Sequence, residues 1–334
     1  LIDESKKILL SSADGCPLPS FLYAEIADKN PELILLLLRL TQKHRVELED
    51  DSPGFIQALI FYLYCFSNDK SPIYSIFKAS NTLNFDKRTV TNILRDAITE
   101  ERCVPIVSSF KGFPALDDNE FYNYWSEERY SDSRGYLAFR RLFDYGTTQG
   151  LFMLKFAQRH YYQRYFGDYN PSVKELWDEI NRPWDHDHII PQNWTAEGDW
   201  KDVCLAWINS IGNIADIPFE QNRGKSDDAD WHYYLEVTKD LQEDNLLYFD
   251  RRTLELEEKA LQMGIESELK KFLNLTKERF LKITDDFLSI FDILELDREL
   301  SPMQQERKNF FLAITANKFN AYQPYYLEQS GKEY

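Results

Sequence analysis

The sequence predicts a mainly α-helical protein in which two helical regions flank one small mixed module of two strands and a helix. Three observations predict it. Apolar runs with helical spacing recur along the chain, each opened by a Pro or by a capping Asp, Asn or Ser. Strand-like alternation is scarce. The exception is the stretch from Trp184 to Asp228, where two short apolar segments, WDHDHII and NIADI, precede a polar segment.

Taken in order, Asn30-Pro31 reads as cap and first residue of a helix through the apolar run Leu33–Leu40, and Ser52-Pro53 repeats the device ahead of Phe55–Phe66. Asp86 caps a helix whose buried face carries Val90, Ile93, Leu94 and Ile98. Asp117 or Asp118 opens a short helix through Phe121 and Trp125, and Asn170-Pro171 starts another. Asn181-Arg182-Pro183 breaks the helical pattern. Trp184–Ile190 then reads as a strand ended by Pro191, and Asn213–Ile217 as a second. Between them, Asn193–Ser210 reads as an insertion with one short helix. Phe219 leads into a helix near Glu220–Lys225, and helices resume over Tyr233–Tyr248, Leu254–Met263 and Leu269–Leu294. Ser301-Pro302-Met303-Gln304 is a capping box before a last helix. The expected organisation is a helical region over 1–182, the mixed module over 183–232, and a second helical region over 233–334.

Composition bounds the function. Hydrophobic residues make up 43% of the 334 and aromatics 15%, enough to build real cores. The four cysteines, Cys16, Cys65, Cys103 and Cys204, form no CxxC pair, which disfavours a zinc knuckle and suits reduced thiols in a cytoplasmic protein. No run is long enough to be a membrane span and no signal peptide is visible, so no membrane partner is expected. The chain opens on Leu1 rather than Met, and an upstream part is expected to be missing. Lys and Arg total 39 against 56 Asp and Glu, a formal charge of −17, which disfavours a protein that coats nucleic acid non-specifically. A local basic surface remains open. Between Arg134 and Arg164 six cations, Arg134, Arg140, Arg141, Lys155, Arg159 and Arg164, meet one acid, Asp144, with aromatics interleaved. This basic-aromatic flank, about 134–165, reads either as two amphipathic helices with solvated cations or as a DNA-facing surface.

The central stretch carries the chemistry. It brings an Asp-His pair, Asp187-His188, to the end of a strand, then a Gly-Asn turn at Gly212-Asn213, then Asn222 in a polar segment with Arg223 and Lys225. Neighbours in a regular strand point to opposite faces, so Asp187 and His188 serve one phosphate only where the strand ends or bulges. Carboxylate and amide oxygens are hard ligands suited to Mg²⁺ or Mn²⁺. A neutral imidazole takes a proton from water. Each residue alone has an ordinary reading as a turn, cap or surface group; the ordered set is what signals a function.

DHIIPQ, then GN, then NRGKSD resembles the motif of HNH (ββα-metal) nucleases. The helix-flanked context, RPWDHDHIIPQNW and NSIGN, resembles the nuclease region of GmrSD-type modification-dependent restriction enzymes, and the core is also similar to the HNH domain of single-effector RNA-guided CRISPR nucleases. The motif match covers Trp184–Asp228. The resemblance implies a mainly α fold with helical regions flanking a small ββα-metal (HNH) module. It implies metal ligation by Asp187 and Asn222, His188 as general base, Asn213 as acceptor of the His188 ring N–H, and Lys225 or Arg223 beside the scissile phosphate. Asp185, His186 and Glu220 are candidates for support behind these groups. His186 either lies on the strand's other face or supplements the metal; if His186 or His232 bound it, a softer ion would suit. The implied cofactor is Mg²⁺, with Mn²⁺ as substitute, and the implied partner is DNA, contacted by Arg223, Arg159, Arg164, Arg140 and Arg141. The implied biology is restriction or antiviral defence. In the restriction family a nucleotide-dependent domain precedes this part, and no Walker-type GxxxxGKS stands in the chain. Three readings follow: an autonomous DNA endonuclease, a DNA-binding or regulatory subunit needing a partner or upstream domain, and an RNA-cleaving nuclease.

Overall fold

A computed structural model describes residues 1–12, 15–44, 52–82, 85–100, 102–104, 144–170, 182–188, 209–219, 279–280 and 282–296. These residues are mainly helical, with one small antiparallel sheet of two strands. In chain order they form α1 (Ile2–Leu10), α2 (Phe21–Lys29), α3 (Pro31–His44), α4 (Ser52–Phe66), α5 (Ser71–Ala79), α6 (Lys87–Thr99), α7 (Thr148–Ala157) and α8 (Arg159–Phe166), then β1 (Trp184–His188) and β2 (Ile214–Pro218). The helices expected around Asp117, Asn170-Pro171, 233–263 and Ser301 lie outside the described residues, as does the segment 220–225. Among the described residues no helix is long and apolar enough to cross a membrane.

The chain divides into two compact units that interleave in sequence: one takes in 1–111, 162–177 and 285–310, the other 112–161, 178–284 and 311–334. The three consecutive stretches read from the sequence follow chain order; the units cut across it, because packing joins segments far apart in the chain.

The first unit is organised around α4. Every residue from Phe55 to Phe66 is buried, so this helix is apolar all round and sits inside. Helices α1 and α3 and the 3-10 segment Ser289–Leu294 pack against it. Phe66, Phe287 and Phe291 meet edge to face or tilted, with Phe287 and Phe291 centroids 5.2 Å apart at 86°. Each such buried ring contributes about 1.5–3 kcal/mol by leaving water. Gln57 extends from α4 to donate through Nε2 to the carbonyls of Leu9 (2.8 Å) and Ser11 (2.6 Å), satisfying oxygens at the end of α1.

Helix boundaries follow local chemistry. Asn30 donates its N–H to Ile26 O (2.8 Å) to close α2, and Pro31 opens α3. Ser52-Pro53 opens α4, with Ser52 already within the helix. The run expected as one helix to Leu294 is α-helical at 279–280 and 282–288 and then tightens to 3-10 over Ser289–Leu294. Its last carbonyls are taken by α6: Thr91 Oγ1 donates to Leu294 O (3.2 Å) and Arg95 Nη2 to Glu295 O (2.8 Å). Glu295 itself is left-handed, φ 53°. Cys16, Cys65 and Cys103 are free thiols. Burial pushes the Cys103 thiol up to about 11 and Cys65 well above its ordinary value, so neither is a nucleophilic thiolate at neutral pH.

Asp86 caps α6, its Oδ1 accepting from Thr89 N (2.7 Å) and Thr89 Oγ1 (2.6 Å). The Thr89 hydroxyl, and after it the backbone N–H, hold this carboxyl below its ordinary range. A depressed folded value means stability present above the unfolded pKa of about 3.9 and lost as pH falls through the folded one. Asp86→Ala is expected to cost about 1 kcal/mol at neutral pH in urea unfolding. The gap to wild type should close as the pH is lowered below about 4; a gap independent of pH would contradict the ionised cap.

Candidate active site on the two-stranded ribbon

In the second unit β1 and β2 pair antiparallel, with Trp184 opposite Pro218, His186 opposite Asp216 and His188 opposite Ile214. The Phe219 N–H donates to Pro183 O (3.2 Å), extending the ladder past Trp184. Cross-strand partners share a face, and successive residues alternate. Trp184, His186 and His188 therefore stand on one face with Ile214 and Asp216, and Asp185 and Asp187 stand on the other with Ala215 and Ile217. Both faces are covered: Trp184, Asp187, Ile214, Ala215, Asp216 and Ile217 are all buried. An uncovered two-stranded ribbon would be marginal in water.

The approach to β2 is a 3-10 turn over Ile211–Asn213, with Asn213 N donating to Ser210 O (2.9 Å). Arg279, itself buried, braces this turn: its Nη1 donates to Gly212 O (2.7 Å) and Ile211 O (3.3 Å). Segment 144–145 lies along 209–210. Asp144 and Ser210 form an isolated antiparallel bridge, and Tyr145 N donates to Asn209 O (2.9 Å). From there Thr147 caps α7 through Gly150 N (3.1 Å). A side chain at Gly150 would collide with the Asp144 carbonyl oxygen and stand 3.1 Å from Ile211 Cγ2, so only glycine permits this approach of α7 to the turn.

This frame delivers Tyr145 to the histidine face. Its ring meets His188 edge-on at 5.0 Å and 84°, and His186 at 6.4 Å and 66°. The two imidazoles are wired differently. His186 Nδ1 faces Asp216 Oδ1, and its Nε2 faces Arg182 Nη1 (2.9 Å). A guanidinium only donates, so Nε2 accepts and the proton sits on Nδ1, directed at Asp216. The fully buried Asp216 carboxylate is thereby hydrogen-bonded by the ring and balanced by the cation beyond it. His188 Nε2 faces Asn209 Oδ1 (3.2 Å). An amide oxygen only accepts, so Nε2 carries the proton and the lone pair is on Nδ1.

Several expectations meet these positions. Among the described residues His188 is the last of β1, paired with Ile214; Ile189 and Ile190, expected to continue the strand, lie outside them. The pairing is regular through His188, so Asp187 and His188 stand on opposite faces, with no bulge among the described residues. The amide facing the His188 ring belongs to Asn209, four residues before the expected Asn213, which is buried and closes the turn. His186 shares the face of His188 rather than the strand's other face, and its two ring nitrogens face Arg182 and Asp216. Asp185 is half-buried on the face of Asp187. Arg159, expected to meet DNA, is buried: its guanidinium lies 5.0 Å from the Phe156 ring centroid and donates to Phe156 O (3.0 Å). Lys155 is buried as well, whereas Arg164 is exposed. Glu220, Asn222, Arg223, Lys225, His232, Arg140 and Arg141 lie outside the described residues. Among the described residues no three His, Cys, Asp or Glu side chains gather as a metal site. Arg182 and Asn209 stand at the edges of the RPWDHDHIIPQNW and NSIGN stretches without a role assigned to them; Tyr145 and Arg279 carry no motif signal, and Asp216 falls opposite His186 only once the two strands are paired.

Comparison with known proteins finds no family model, no curated protein and no solved structure that matches the chain.

Arg279→Ala would leave two turn carbonyls without their cation and is expected to cost about 1–3 kcal/mol in thermal or urea unfolding. A change below about 0.5 kcal/mol, the level of an ordinary surface substitution, would show that the turn stands without it.

Proposed function

We propose that the chain is a metal-dependent endonuclease of the HNH type that hydrolyses DNA phosphodiester bonds, serving restriction of foreign or modified DNA. The observation that carries the reading is His188: an imidazole at the end of a covered antiparallel ribbon, with Nε2 held by an amide oxygen and the basic lone pair on Nδ1. That is the wiring of a general base, a proton acceptor whose tautomer is set from behind. Its role is to draw the proton from the attacking water.

Asp187, buried on the opposite face of the same strand, is the proposed carboxylate ligand, and Asn222, outside the described residues, is the proposed amide ligand. This donor set fits Mg²⁺, with Mn²⁺ as substitute, because Mg²⁺ is commonly held by one or two carboxylates together with substrate phosphate and water. A hard cation held there would supply Lewis acidity to a phosphate oxygen and to the leaving oxygen. In-line displacement needs the attacking and leaving oxygens on opposite sides of phosphorus. Adjacent residues at a strand terminus approach a phosphate lying over the ribbon's end from two sides, so the alternation of Asp187 and His188 suits that geometry. Asn209 fixes the base, Asn213 closes the turn beneath it, and Lys225 and Arg223 offset charge developing on phosphate.

The formal charge of −17 favours a second reading, in which the same site acts only with a partner subunit or an upstream nucleotide-dependent domain that brings DNA to an acidic chain. RNA as substrate is the further alternative, since nothing in the site reads the sugar.

Incubation of the purified chain with plasmid DNA, and in parallel with RNA, in Mg²⁺ or Mn²⁺ tests the reading. Nicking of DNA is expected, lost on chelation and restored by either ion. His188→Ala is expected to lower the rate by about 10²–10⁴-fold with an unchanged circular dichroism spectrum. Undiminished cleavage by that variant, free of contaminating nuclease, would refute His188 as the base.

A further inference from the structure

Arg182 was not among the residues expected to meet nucleic acid. It stands two residues before β1, half-buried, with Nη1 on His186 Nε2 (2.9 Å). Among the described residues His186 is its one partner, and no carboxylate pairs with it directly. A guanidinium has five N–H donors in a planar fork, and this contact uses one. A bidentate carboxylate partner would have consumed the fork and cancelled the charge. A neutral imidazole does neither: it holds one edge of the guanidinium and leaves the cation at the outer end of the Asp216–His186–Arg182 chain. Asp216, fully buried, anchors the inner end. The ring that receives Arg182 shares its face, and its Tyr145 contact, with the ring of His188.

Resting on the nuclease reading, we infer that Arg182 binds a backbone phosphate of the DNA beside the scissile one, and that His186 and Asp216 are positioning residues that aim its guanidinium. The acidic chain thus presents a fixed cation on His186, whose ring shares a face with that of the proposed base, independently of the basic flank, where Arg159 is buried. The rival account is structural: Arg182 only balances the buried Asp216. The two differ in what DNA feels.

Arg182→Gln separates them, because a glutamine amide still donates to His186 Nε2 but carries no charge. Binding of a fluorescent DNA duplex is followed by anisotropy in chelator, so that no cleavage intervenes, between about 50 and 200 mM salt. The expected result is an affinity about tenfold lower and a slope of log K against log salt shallower by about 0.9, one phosphate contact. Arg182→Lys, keeping the charge, should keep the slope. His186→Ala leaves the charge unchanged but unaimed, so affinity should fall several-fold at constant slope; unchanged affinity would remove the positioning role. On the unaltered chain, saturating duplex should protect Arg182 from phenylglyoxal, read by peptide mass, which decides the matter even if the Gln variant fails to fold. Wild-type affinity and slope in Arg182→Gln, or undiminished modification in the complex, would overturn the inference while leaving the nuclease reading intact. A wild-type chain that binds no duplex at any of these salt concentrations would overturn both.

Discussion

The candidate site depends on one register: His186 opposite Asp216 in a two-stranded antiparallel ribbon. A slip of one residue would turn every side chain of β1 to the other face. It would carry Asp185 or Asp187 to the face of Asp216, setting carboxylates together where an imidazole now stands. Like charges across a ribbon destabilise it, so the pairing of ring and carboxylate selects the register as well as satisfying the buried acid. The ends are held separately, by the Phe219–Pro183 hydrogen bond on one side and the Arg279-braced turn on the other.

From that register come two histidines on one face with opposite tautomers. His186 is committed to the structure, between a buried acid and an arginine; His188, two residues on and at the strand's end, is held by a neutral amide. The His186 ring lies between a carboxylate and a cation, whereas the Nε2 of His188 faces a neutral amide oxygen. Sequence proximity to a motif does not distinguish them; their partners do. Segment 144–150 serves both, because the bridge to Ser210 and the glycine at the start of α7 let Tyr145 lie against both rings.

What was legible in the sequence was local. Pro31, Asp86 and the apolar run of α4 act through their own neighbours, and the helices they announce start within a residue of the expected places. The two strands were equally legible, from apolar residues bounded by Pro and Gly. What was not legible depends on residues far apart in the chain. Asn209 faces the ring where Asn213 was expected, because the bridge at Asp144–Ser210 carries residue 209 there, and spacing does not encode that bridge. Arg279 reaches the Gly212 carbonyl from 67 positions away. Arg159 was read as a surface cation because charge counts carry no information about burial; the Phe156 ring and carbonyl draw it inside. The interleaving of two units is the same effect on the scale of the whole chain.

The most direct test of this account is the protonation pattern of the two rings, read from long-range ¹⁵N–¹H couplings in the histidine-labelled protein with His186→Gln and His188→Gln as assignments. The account predicts the Nδ1–H tautomer for His186 and the Nε2–H tautomer for His188 at neutral pH. Both rings in the same tautomer would contradict it.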